Sequence, residues 1–173
     1  MSLGAFFSGR IKNSQDPTLP PSIYDFKLPG LDGKTIDFAA YRGKRLLIVN
    51  TASKCGFTPQ YEDLEKIHSA YGGKVAVLGF PANNFLWQEP ASNDQIAEFC
   101  VKNFGVTFQM FQKISVKGRD KHDLYRWLEE KSGKSPSWNF GKYVVSADGN
   151  TVSFFSSGTN PLDPVVLDAL EKL

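Results

Sequence analysis

The stretch Leu46–Tyr71, LLIVNTASKCGFTPQYEDLEKIHSAY, decides the fold. It opens on Leu46–Val49, an unbroken apolar run of the kind that fills a buried strand of an α/β sheet. Asn50-Thr51-Ala52-Ser53-Lys54 carries the chain out of the sheet to Cys55. Thr58-Pro59 predicts a helix start, with a hydroxyl as N-cap and proline at the first helical position. Tyr61, Leu64, Ile67 or His68, and Tyr71 then recur at helical spacing. A cysteine is therefore expected where a central strand ends and a helix begins, the end of open α/β sheets at which ligands bind. Unpaired amides and the positive helix end favour a thiolate there, and Lys54 adds a positive charge. The alternative is a buried cysteine acting as a small apolar filler. Strand–Cys–Gly–helix by itself leaves both readings open.

The composition narrows the function class. At 173 residues the chain can bury a full core as a single unit, and 41% hydrophobic with 22% charged residues is an ordinary globular balance. A net charge of +2, scattered along the chain, gives no reason to expect nucleic acid or an anionic membrane as partner. No apolar run reaches the length of a membrane span, so no integral membrane contact is expected. Two cysteines and two distant histidines fit no familiar metal-ligand spacing, and neither a metal nor a bound cofactor is expected. Two cysteines do not make a disulfide scaffold either.

Along the chain, residues 1–21 show no clear period and end in Pro20-Pro21. They read as a flexible N-terminal arm or an expression remnant, or as what is left of a trimmed export signal. Residues 22–173 read as one folded unit. Ile23–Leu28 and Thr35–Phe38 alternate apolar with polar around Asp32-Gly33, which predicts a β-hairpin. The strand and helix quoted above follow, then a second buried strand over Lys74–Phe80, completing a right-handed βαβ unit. Ser92-Asn93-Asp94-Gln95 matches a capping box opening a helix to about Asn103, with Ile96, Phe99 and Cys100 on its inner side. Lys113–Val116 reads as a short extended piece, Lys121–Lys131 as a helix, and Tyr143–Ser146 with Thr151–Ser156 as a second hairpin. A last helix starts at Asp163 or Pro164. This order is the plan of a thioredoxin-like α/β fold: an N-terminal hairpin, then a central mixed sheet flanked by helices.

Five segments carry a resemblance: NTASKCGFTPQY (Asn50–Tyr61), LGFPANNFLWQEP (Leu78–Pro90), SNDQIAEFC (Ser92–Cys100), FGVTFQMF (Phe104–Phe111) and WNFGKYVV (Trp138–Val145). Together they resemble the glutathione peroxidase family, in its cysteine-containing, thioredoxin-dependent branch. The resemblance implies that Cys55 is the peroxidatic residue, whose thiolate attacks a peroxide and becomes a sulfenic acid. It implies that Gln88, Trp138 and Asn139 supply the hydrogen-bond donors around that sulfur. Taken singly, each has an ordinary reading: a solvated loop glutamine, a core tryptophan, turn chemistry at an asparagine. Trp87, where the family usually has a small or polar residue, is expected at the rim of the site.

The resemblance also makes Cys100 the resolving cysteine, closing a disulfide with Cys55. Its position beside Phe99 on an apolar helix side equally suits plain packing. A disulfide needs Cα atoms within about 7 Å, so the helix over Gln95–Asn103 is expected to unwind locally first. Ala82, Asn84 and Gln109 depart from the family's usual residues, and the Lys131–Trp138 connection is short, as in its monomeric members. Residues that hold glutathione are not evident. The expected activity is therefore reduction of hydrogen peroxide and organic or lipid hydroperoxides by a monomer, with thioredoxin favoured over glutathione as reductant. The alternative is a peroxide-sensing redox relay that passes its disulfide to a partner protein. A soluble cytoplasmic protein is expected, periplasmic or exported if a signal has been removed.

Overall fold

The computed structural model describes residues 16–172. The chain first forms an antiparallel ribbon of β1 (Lys27–Pro29) and β2 (Thr35–Asp37). Its turn places Gly33 at φ 84°, a left-handed conformation that glycine adopts without steric cost. The hairpin is as predicted but shorter. Ile23–Asp25 is a 3-10 turn instead of strand, because Ser22 accepts the Tyr24 amide and the Asp25 carboxylate returns to the Ser22 amide. Local capping outweighs the alternating pattern there.

The main sheet contains β3 (Arg45–Thr51), β4 (Val75–Pro81), β5 (Gln109–Met110), β6 (Lys142–Val145) and β7 (Val152–Phe155), in the order β5-β4-β3-β6-β7. β4 is parallel to β3 and to β5, while β6 is antiparallel to both β3 and β7. The helices are α1 (Gln60–Tyr71), α2 (Asn93–Phe104), α3 (Asp123–Ser132) and α4 (Pro164–Lys172). The fold is thioredoxin-like, as the element order predicts. The extended piece expected at Lys113–Val116 joins no strand ladder. Strand pairing falls earlier, at β5, where Gly79 lets Met110 approach: a Cβ on Gly79 would lie 2.2 Å from the Met110 sulfur. The Lys113 and Val116 amides bond instead to the side chains of Asn93 and Asn84.

β3 is buried from Leu46 to Thr51, and its alternation divides the core. Leu46 and Ile48 face one cluster with Phe80, Phe111, Trp127 of α3 and Tyr143. Leu47 and Val49 face the other, which α1, α2 and α4 cover with Leu64, Ile96 and Val166. Both cysteines belong to this second cluster. Residues 1–15 of the expected arm lie outside the described residues. Further along that segment, Leu19 is buried in the first cluster and the Asp16 amide bonds the Glu130 carboxylate.

Phe80 and Phe111 stack at 4.5 Å with ring planes 7° apart, both fully buried. Phe111→Ala removes that ring from a closed core and is expected to cost about 3–5 kcal/mol of stability, read from urea-unfolding midpoints.

Candidate functional site

Cys55 sits in the loop after β3 with 8% of its surface exposed. Its amide donates to the Thr58 hydroxyl at 2.9 Å, and that hydroxyl donates to the Ala52 carbonyl at 2.9 Å. Thr58 therefore does not cap α1, as the sequence predicts it would. Its side chain is spent on closing the Cys55 loop, and Pro59 occupies the N-cap position with no side-chain bond. The amides of Gln60, Tyr61 and Glu62 are taken by the carbonyls of Phe57, Thr58 and Pro59 in a tightened first turn. The sulfur instead accepts the Phe57 amide at 3.4 Å. Support for a thiolate thus comes from a turn amide rather than from free amides of the helix end.

Gln88 reaches the same place from the loop after β4. Its carbonyl accepts the Lys54 amide at 3.0 Å, next to Cys55, and its side-chain oxygen accepts the Asn139 amide nitrogen at 2.9 Å. That bond occupies Oε1 and leaves the Gln88 Nε2 hydrogens to donate elsewhere. The loop is anchored by Glu89, which is fully buried. Both Glu89 oxygens accept from the Ser53 hydroxyl at 2.9 Å, its amide donates to Asn83, and its carbonyl accepts Lys113 Nζ at 2.9 Å. Burial pushes the Glu89 carboxyl above the ordinary range, against the opposing pull of the Ser53 hydroxyl. Leu86 and Trp87 stand at φ 52° and 51°, strained for side chains of their size, and are 71% and 74% exposed. Trp87 is thus exposed, next to Gln88 in the chain.

Trp138 and Asn139 come from the segment leading into β6. The buried Asn50 holds it: Asn50 Nδ2 donates to the Trp138 carbonyl at 3.0 Å, and the Asn50 carbonyl accepts the Phe140 amide at 2.6 Å. Phe140 turns the chain at φ 63° while fully buried. Trp138 packs on Phe85, with centroids 5.8 Å apart, and borders the cluster that contains Cys55. Asn139 is fully buried beneath Gln88. Sequence reading missed Asn50, Ser53 and Glu89 as supports. For Asn50 and Ser53 the signal available was a run of polar residues continuing a buried strand; Glu89, in the loop after β4, had none.

Cys100 occupies the buried side of an intact α2, which has the predicted Ser92 capping box and ends at Gly105 with φ 57°. Both cysteines are free thiols. Cys100 lines a cavity of about 230 Å³ with Ala97, Val106, Phe108 and Met110, and Cys55 is not among its lining residues. Burial pushes its thiol up to about 11, while the Tyr61 hydroxyl beside it acts the other way. Among the described residues no cluster of His, Cys, Asp and Glu could hold a metal ion, and no helix is long and apolar enough to cross a membrane.

The glutathione peroxidase family model matches residues 23–129, more than half of the chain. The chain belongs to the glutathione peroxidase family. It is 44% identical over 159 residues to glutathione peroxidase-like peroxiredoxin 2 of Saccharomyces cerevisiae, covering 87% of this chain and 98% of that one. It is 39% identical over 163 residues to the hydroperoxy fatty acid reductase of Synechocystis, covering 88% and 95%. The crystal structure of Trgpx in apo form superposes with a TM-score of 0.68 at 35% identity, covering 87% and 96%. The protein is a glutathione peroxidase-like thiol peroxidase, an oxidoreductase.

Two outcomes follow from the geometry of this peroxidase. Thr58→Val strands the Cys55 amide and the Ala52 carbonyl and is expected to cost about 1–3 kcal/mol, measured by urea unfolding. For Cys100, a pKa raised to about 11 from 9.0 keeps the thiol protonated through neutral pH. Its alkylation at about pH 8 is expected to be about 100-fold slower in the native protein than in urea, read by mass spectrometry of the labelled peptide.

Proposed function

We propose that residues 22–173 act as one peroxidase domain in which Cys55 is the peroxidatic residue. Its thiolate attacks the peroxide O–O bond, taking one oxygen as a sulfenic acid while the other leaves as water or alcohol once protonated. Gln88 and Trp138 donate to the oxygen that departs, and Asn139 holds Gln88 in place and completes the donor set. The observation that carries this reading is the Asn139–Gln88 hydrogen bond, made beside the loop that holds Cys55.

Cys100 resolves the sulfenic acid. Its sulfur displaces water from the oxidised Cys55 and closes a disulfide, which a thioredoxin-like dithiol reduces by exchange. Because Cys100 lies within a formed helix at a site of high thiol pKa, α2 opens locally before the bond closes. Opening both frees the thiol from its apolar surroundings and lowers its pKa toward the ordinary value. The exposed Phe57, Leu86 and Trp87 around the site suit organic and lipid hydroperoxides as well as hydrogen peroxide. The enzyme works as a monomer, and thioredoxin serves it better than glutathione.

Peroxide consumption coupled in turn to thioredoxin and to glutathione tests this reading. Cys55→Ser is expected to abolish turnover with either. Cys100→Ser is expected to oxidise once per chain and then lose thioredoxin-coupled turnover by about 100-fold or more. Sustained turnover of Cys100→Ser with thioredoxin refutes the resolving role.

A further inference from the structure

Lys142 is 0% exposed, although a buried ammonium is costly without a counter-charge. It stands on β6 next to Tyr143, which faces the first core cluster, and two residues before Val144, which faces the second. By strand alternation its side chain therefore enters the side of the sheet on which Cys55 and α1 pack. Among the described residues no carboxylate receives it. Its ammonium donates to three backbone carbonyls: Phe140 at 2.6 Å, Ser156 at 3.3 Å and Ser157 at 3.3 Å. Burial alone pulls its pKa down to about 7.

Those carbonyls sit at informative places. Phe140 is the buried left-handed residue that immediately follows Asn139. The Ser157 carbonyl also accepts the Gln60 side chain at 2.8 Å, and Gln60 is the first residue of α1. Tyr61, next in that helix, packs edge-on against Phe140 at 5.4 Å and 88°. One cation thus ties the Trp138–Phe140 turn to the Ser156-Ser157 turn, and through Gln60 to the helix that follows Cys55.

We propose that Lys142 is a positioning residue of the peroxide site: its buried ammonium clamps the turn that carries Trp138 and Asn139, and its charge favours the Cys55 thiolate. This rests on Cys55 being the peroxidatic residue. Lys54, next to Cys55 in the chain, and the buried Glu89, whose charge acts on Tyr61 and Cys100, also bear on this face; both are unchanged in a Lys142 variant, so the comparison isolates the lysine. Glu62 and Asp63 of α1 pair with Lys66, and Asp163 before α4 accepts the Val165 amide. Tyr61 and Cys100 share the face as neutral groups whose pKa values burial raises. β3 and β7 place Val49 and Phe155 opposite Lys142.

The test reads Cys55 ionisation directly. In a Cys100→Ser background, the rate of Cys55 alkylation by monobromobimane is followed against pH, with and without Lys142→Met. The midpoint is expected to rise by about one unit in Lys142→Met, and single-turnover oxidation by hydrogen peroxide at about pH 6 to slow about tenfold. A folded Lys142→Met whose midpoint and rate stay within about twofold of the parent overturns the proposal. If that variant does not fold, the intact side chain answers through reciprocal coupling. The Lys142 13Cε shift is titrated by NMR in the parent and in Cys55→Ser. Loss of the thiolate is expected to lower the Lys142 midpoint, and an unchanged midpoint overturns the proposal. Failure of Cys55 to consume peroxide at all is a separate result, seen in the parent, and it refutes the peroxidatic reading instead.

Discussion

The bracket that Asn50 makes across the end of the β3–β6 seam is the constraint on which the site depends. Its side-chain nitrogen holds the Trp138 carbonyl and its own carbonyl holds the Phe140 amide, so one buried residue fixes the approach of the segment before β6. Without those bonds, the turn at Phe140 has no reason to remain left-handed. Gly141 follows in the only form the space allows comfortably, since a Cβ there would come within 3.0 Å of the Asn50 side-chain oxygen. The turn delivers Asn139 to Gln88. Gln88 in turn is fixed from the opposite direction by Ser53 and Lys113 acting on Glu89.

The two cysteines share one core cluster yet sit in opposite environments, and the difference is mechanistic. Cys55 lies in the loop beyond the end of the central strand β3, its sulfur accepting a turn amide and its loop closed by Thr58. Cys100 is enclosed by α2 and residues around β5, where burial holds the thiol in its neutral form. On the proposed reading, a thiol kept neutral while its helix is formed reacts after Cys55, once α2 loosens, so that local stability would set the order of reaction. Around the mouth, Leu86 and Trp87 are held outward at backbone angles that cost energy for residues of their size, which leaves an apolar rim beside Gln88.

Much of this was legible in the residues. Apolar runs at Leu46–Val49 and Lys74–Phe80, the Ser92 capping box and the Gly33 turn mark elements whose causes are local, and they stand where the pattern places them. The errors have local causes too. Ile23–Tyr24 alternates like a strand, but Ser22 and Asp25 satisfy its amides in a 3-10 turn. Thr58 carries the sequence signature of a helix cap, but two groups of the preceding loop claim its hydroxyl. The short extended piece read at Lys113–Val116 joins no strand ladder, because β4 pairs at Gly79, where Met110 fits.

By itself the sequence determined the family, the order of elements and which side chains could do thiol chemistry, because these depend on residue type and spacing. Only the tertiary structure decided how those side chains are held. Asn50, Glu89 and Lys142 are polar residues in buried positions, and their bonds run to segments distant along the chain. No periodicity encodes such partners. Which carbonyl a buried donor finds depends on how strands and turns meet in space, and that meeting exists only once the sheet has formed.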